Sequence, residues 1–275
     1  MEFTTRKSSG PWVGLLAGVI IFTFTLWGVG YSLGPEDMAL KIMLYVPTYL
    51  FLVAYIYLII GAFNLHYRIN DEHLTIRWGL LKKSIYWQDV NEIIIVKGKA
   101  NLFPFLSVQW PGYIVGLFTI KGLGPVRMYG THVAEEFLYL KTGKGFFGLT
   151  PYDMRMADFL ESKTSIPITI VDMDEIPAEV KGTSYHEDDS YKLFYRLNLI
   201  LLLVYIVFMA IFYPGSGADP ITVLLLVLAI PLFFFNVSNA SRIIQFSESG
   251  AYMMLILGVL VTGIFLILTA SEILL

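Results

Sequence analysis

The sequence predicts an α+β membrane protein: a bent antiparallel β-sheet or barrel, capped by a C-terminal helix, inserted within a bundle of about five transmembrane helices. Three observations carry this. Of 275 residues, 56% are hydrophobic and only 15% charged, against roughly 25% charged in ordinary soluble domains. Long apolar runs occupy both ends of the chain. Between them, the stretch opening "YRINDEHLTIRWGLLKKSIYWQDV" alternates apolar and polar residues, the period of a half-buried sheet.

The apolar runs come first. A helix needs about 20 mostly apolar residues to cross a bilayer. Residues 12–33, 42–63, 193–213, 221–237 and 253–270 meet that length or come close, with no charge near the middle of any. The first follows Arg6 and Lys7 but is too long for a signal peptide and lacks a small-x-small cleavage pattern, so it reads as an uncleaved anchor. Pro47 and Pro231 are expected to kink their helices. Gly14 and Gly18 form a G-x-x-x-G element, a candidate close-packing face for another helix or a second copy. Basic residues favour the cytoplasmic side. Arg6, Lys7, Arg68, Arg77, Lys192, Arg196 and Arg242 then put the N-terminus and the middle block in the cytoplasm and the C-terminus outside; Lys41 dissents.

The middle block follows. Leu65, Tyr67 and Ile69 alternate with His66 and Arg68, and Leu74, Ile76 and Trp78 alternate with Thr75 and Arg77 across an Asp71–Glu72 turn. That is a hairpin signal. A third strand is expected at 84–88 after a Lys82–Lys83 corner, with Trp87 in the core, and a fourth at 92–97. Runs from Tyr113, Val126, Glu136 and Gly145 complete seven or so antiparallel strands. Thr150 then reads as an N-cap, Pro151 as the first helical residue and Asp153 as a first-turn acid. Met156, Phe159 and Leu160 form one apolar stripe.

Three segments in this order, "YRINDEHLTIRWG", "IYWQDVNEI" and "LTPYDMRMADFLES", resemble the bacterial pleckstrin-homology (PH-like) domains of membrane proteins. So does "WPGYIVGLFTIKGLGPVRMYGT". The resemblance covers 64–165, about a third of the chain. It divides the chain into an N-terminal tail with two spans (1–63), the PH-like domain (64–165), an acidic linker (166–192) and three further spans (193–275). It implies a bent sheet plugged by its final helix, and is silent on the spans.

Chemistry is sparse. With no cysteine, disulfides, thiolate metal sites and cysteine nucleophiles are excluded. A net charge of −3 gives no reason to expect nucleic acid. His66, His73, His132 and His186 are scattered; a zinc pair of His66 and His73 is weighed against two solvent-facing strand residues, and the latter is preferred. "GKGFFG" and "KGLGP" lack the phosphate-loop pattern and read as turns. The acids from Asp172 to Asp189 read as a solvated linker. No cofactor, metal or catalytic residue is expected.

A phosphoinositide site would need several cations around an open first loop. Here that loop is short and carries Asp71 and Glu72. Lys82 and Lys83 remain candidates for non-specific contact with anionic lipid. Phe103, Phe105 and Trp110 lie in "KANLFPFLSVQWPG", which reads as a lip toward membrane or partner, or as a plain buried loop, with Trp110 exposed.

The expectation is therefore a non-catalytic protein of the cell membrane that displays a cytoplasmic PH-like domain to a protein partner or to copies of itself. The alternative is a transport, export or immunity component, regulated by the domain, with a polar cavity around Asn198, Tyr205 and Asn236. A lipid enzyme is the third reading, and no catalytic set can be assembled for it.

Overall fold

The computed structural model describes residues 2–132, 136–181, 185, 187–214 and 217–274. His186, residues 182–184 of the acidic stretch and the centre of the "PGSGAD" loop lie outside them. In chain order the elements are β1 (Glu2–Thr4), α1 (Gly10–Ser32), α2 (Met38–Phe63), β2 (His66–Ile69), β3 (His73–Trp78), β4 (Leu81–Tyr86), β5 (Val90–Lys97), β6 (Leu102–Trp110), β7 (Tyr113–Ile120), β8 (Gly124–Gly130), β9 (Glu136–Thr142), β10 (Gly145–Leu149), α3 (Arg155–Thr164), β11 (Ile168–Asp172), α4 (Ala178–Lys181), α5 (Asp189–Phe212), α6 (Pro220–Ile243) and α7 (Glu248–Leu274). The chain divides into two compact units, one of residues 1–18 and 54–183, the other of 19–53 and 184–275.

The first unit holds two sheets. One is antiparallel in the order β1-β2-β3-β4; the other runs β11-β5-β9-β10-β8-β7-β6. Tyr67, Leu74 and Ile85 from the first sheet meet Ile93, Leu138 and Leu149 from the second, and α3 closes this core with Met156, Ala157 and Leu160. The capping helix is thus where the apolar stripe predicts it. Ile94, Val96, Phe137 and Tyr139 belong to a second core with Phe118 and Met128. β5 and β9 are therefore apolar on both faces. That explains "EIIIV" and "FLYL", where period-two alternation breaks down because neither face meets water.

Several local expectations are corrected. The sheet is not wholly antiparallel: β10 runs parallel to β8 and β11 parallel to β5. Lys82 and Lys83 do not form a corner. The reversal comes earlier, at Gly79–Leu80, and both lysines lie on β4. Gly79 takes φ +59, a left-handed conformation that glycine adopts without a Cβ penalty. Trp87 falls in a short 3-10 turn, half-buried, donating to the Asp71 carbonyl at 2.7 Å. "LFPFLSVQW" is neither lip nor loop but strand β6, paired with β7.

Thr150 does not cap α3. It is fully buried, accepts from the Thr131 amide at 2.9 Å and donates its own amide to the Tyr67 hydroxyl at 3.1 Å. Asp153 supplies the first-turn acceptor instead, to the Arg155 amide. The stretch read as a linker contains β11, and Met173 just after it is fully buried. The N-terminal tail likewise contains β1, which pairs with β2. Short polar-flanked strands of three or five residues leave little periodicity to read.

The second unit is helical. Asp188 caps α5 through the Tyr191 amide, and Asp219 caps α6 with Pro220 at its first turn. α5, α6 and α7 pack together. Val29 of α1 joins Leu202, Tyr205 and Val227 in their core. Pro47 and Pro231 lie inside α2 and α6. All five long helices, α1, α2, α5, α6 and α7, have the length and hydropathy to cross a membrane, so the multi-pass expectation stands at that level. α6 and α7 extend beyond the expected limits because serine, asparagine and glutamate continue the helices past their apolar centres.

Candidate functional site

A group of aromatic residues gathers where the last turns of α2 meet the first unit's sheets. α2 ends at Phe63, and Asn64 follows. Its amide nitrogen donates to the Gly79 carbonyl at 2.9 Å, while its oxygen accepts from the Gly79 N–H at 2.7 Å. This reciprocal pair ties the β3–β4 turn to the end of α2. Beside it, the Trp78 indole donates to the Tyr113 hydroxyl at 2.5 Å, which donates in turn to the Leu58 carbonyl at 3.4 Å. Trp78 packs edge-on against Tyr57 at 5.2 Å. Gly61 leaves the space the indole occupies: a Cβ there would overlap it.

A second tie joins the β6–β7 turn to the start of α1. Trp110 donates to the Gly10 carbonyl at 2.8 Å, and Ser8 donates to the Gly112 carbonyl at 2.6 Å. Trp110 also packs against Tyr113 with the rings tilted, centroids 4.5 Å apart. Gly14 and Gly18 each lie against neighbours within the chain. A Cβ on Gly14 would come within 2.8 Å of Ile59 and of Trp110, and one on Gly18 would strike Tyr55. Tyr55 donates to the Gly14 carbonyl at 2.6 Å.

The other candidate contacts separate. Phe103 is 3% exposed with the Lys121 ammonium 4.9 Å above its ring, so it is core and not a surface contact. Trp110 is tied down rather than exposed. Phe105 and its neighbour Leu106 are exposed, on the strand at the end of the sheet order. Lys82 is exposed, and Lys83 is half-buried with its ammonium 6.0 Å from the Phe147 ring centre. No single patch contains all five.

The sequence reading missed Asn64 as a clamp, and it missed Leu80 and Leu81, 83% and 56% exposed. A signal existed: "WGLLKK" sets two leucines side by side where alternation would allow one.

The β2–β3 turn is acidic as expected. Asp71 is exposed and takes the Lys163 ammonium at 2.8 Å, which holds its carboxyl below the usual range. His66 lies opposite Arg77, whereas His73 lies opposite Tyr86, so the two imidazoles sit at opposite ends of the hairpin and cannot share an ion. Among the described residues no three His, Asp or Glu side chains gather to hold a metal. Burial pushes the Tyr67, Tyr113 and Tyr129 hydroxyls above their ordinary titration range.

In the helical unit Asn198, Tyr205 and Asn236 are buried but packed. Asn198 donates to the Phe194 and Leu255 carbonyls, each at 2.8 Å. Tyr205 shares a hydrogen bond with Thr269. Among the described residues the Asn236 amide nitrogen is buried without a partner, and Gly258 of α7 lies against it and the Asn198 oxygen.

Residues 65–164 match the family model of the bacterial PH domain. The resemblance drawn from the motifs is borne out over that stretch, which runs from the strand after Asn64 to the end of α3. Comparison with curated proteins and with solved structures gives no match.

Proposed function

We propose that this protein is a multi-pass protein of the cell membrane, with no catalytic site, that displays its PH-like domain on the cytoplasmic side. There the domain binds a protein partner or assembles with copies of itself. The double tie supports this reading most. Asn64–Gly79 at a turn of one sheet and Trp110–Gly10 at a turn of the other tie each sheet to the end of an apolar helix. A domain so fixed is presented in one orientation, which lowers the ordering cost of binding. Sidedness rests on the basic residues flanking the helices.

The acidic turn at Asp71 and Glu72 argues against a phosphoinositide pocket, and nothing favours nucleic acid. The exposed Phe105 and Leu106 are the favoured partner contact. A second reading, a transport, export or immunity component with a regulatory domain, draws on the buried amides of Asn198 and Asn236. The lack of any charge in mid-helix weighs against it.

The test is crosslinking in cells followed by affinity purification of the full chain, native and with Phe105→Arg and Leu106→Arg together. A stoichiometric partner, or self-association, that the double variant loses supports the reading. Finding none, or one indifferent to the change, sinks it and turns attention to transport.

A further inference from the structure

We infer that the β3–β4 turn, Gly79 to Lys82, is a second membrane anchor: Leu80 and Leu81 sit in the headgroup–acyl boundary, and Arg77 and Lys82 meet anionic headgroups behind them. The inference rests on the membrane reading above and adds to it a specific lipid-contacting element.

Four observations meet at this turn. Leu80 and Leu81 are adjacent, large and apolar, and both are exposed. In water such a pair gains nothing by exposure, whereas insertion into the interface removes its surface from water. The turn is also held in place: Gly79 is hydrogen-bonded on both its backbone groups to Asn64, the residue that follows the last turn of α2. Leu80 is thus one residue from a 2.7 Å contact with the helix end. If α2 spans the bilayer, the leucines have no choice of depth other than its boundary.

Aromatic residues mark the same level. Trp12 of α1 and Phe63 of α2, both well exposed, pack edge-to-face at 5.2 Å, and Tyr57 lies against Gly79. Aromatic rings of this kind gather at the membrane–water interface.

Charge supplies the fourth observation. Arg77 lies directly opposite Lys82 in the strand register, and like charges so placed repel. Among the described residues neither has a carboxylate partner. An anionic headgroup relieves that repulsion, and each cation near an anionic leaflet contributes to attraction. A protein partner or a second copy could also cover two leucines. The link to a helix end favours lipid.

The chain has no cysteine, so single-cysteine labels read position directly. The full chain would be placed in nanodiscs containing anionic lipid, with an environment-sensitive label at Leu80→Cys, and separately at Leu81→Cys in case one substitution disturbs the turn. Controls are Glu72→Cys, at the far end of β3, and Leu50→Cys, in the middle of α2. The expected result is quenching of the Leu80 and Leu81 labels by nitroxide-bearing lipid and not by an aqueous quencher, with the reverse at Glu72. Aqueous quenching at both leucines, with lipid quenching at Leu50, overturns the anchor and leaves the membrane reading standing. Protection from both quenchers, with label-to-label proximity between copies, overturns it in favour of self-association. Aqueous quenching at Leu50 as well means the membrane reading has failed, and the anchor with it.

Discussion

Replacing Asn64 with alanine should release the β3–β4 turn from α2. The side chain makes two hydrogen bonds, one donated to the Gly79 carbonyl at 2.9 Å and one accepted from the Gly79 N–H at 2.7 Å. A typical bond contributes about 1 kcal/mol net, so the tie is worth roughly 2 kcal/mol. Since 1.4 kcal/mol is tenfold, local opening should become roughly 30-fold more frequent. Hydrogen exchange of the full chain in detergent or nanodiscs would read it at Trp78 and Leu81, which pair across the turn. Local opening on this scale is what native-state exchange measures. Asn64→Asp keeps the acceptor and loses the donor, so it should fall between native and alanine. Its negative charge beside a helix C-terminus adds a penalty of about 0.3–1 kcal/mol. Unchanged exchange at Trp78 and Leu81 in Asn64→Ala would refute the clamp. So would a loss spread evenly over the sheet, since that reports global destabilisation.

Gly14→Leu should force Trp110 and Ile59 apart and cost about 1–3 kcal/mol as overpacking, read as a lower Tm, with fluorescence reporting a moved indole. Tyr67→Phe removes the hydroxyl that joins the Thr150 amide to the Tyr129 carbonyl. The buried Thr150 amide loses its partner, at about 1–3 kcal/mol, and the half-buried Tyr129 carbonyl loses this bond at a smaller cost, measured by denaturant unfolding. Stability should also fall with rising pH from about 10 upward. Burial raises the folded-state values of Tyr67, Tyr113 and Tyr129, with Tyr139 pushed up to about 12. The unfolded chain therefore loses these protons first, and Tyr67→Phe should flatten the slope. Asn236→Leu replaces a buried nitrogen that has no partner among the described residues and should leave Tm unchanged or raised, whereas Asn198→Leu, which loses two bonds, should lower it. A fall in both would mean that Asn236 has a partner in the membrane.

What the sequence revealed follows from how much each element repeats. Five apolar runs and the first hairpin are long periodic signals, and both appear where the pattern puts them. The motif order around "YRINDEH" and "IYWQDV" carried the PH-like resemblance because those residues fill defined strand and turn positions. β5 and β9 hid their registers because Ile93 and Ile94 face different cores. Thr150 has the residue type of a cap, yet its side-chain oxygen already accepts from the Thr131 amide, a partner set by tertiary structure. Phe103 and Phe105 are two residues apart in a strand, but the irregular pairing between Pro104 and Leu106 breaks the alternation, and only Phe105 is exposed. Asn64 could not be seen as a clamp, because its partner Gly79 is chosen by tertiary geometry. The doublet Leu80–Leu81 was visible in the sequence: adjacent leucines at a turn break a strand's alternation, and both are exposed.

Sidedness is the central claim, and the absence of native cysteine makes it measurable. Glu72→Cys on the domain and Gly217→Cys between α5 and α6 are both exposed positions. A membrane-impermeant maleimide applied to intact bacterial cells should label Gly217→Cys at once and Glu72→Cys only after permeabilisation. Labelling of Glu72→Cys in intact cells, with Gly217→Cys protected, would place the PH-like domain outside and contradict the proposed display on the cytoplasmic face.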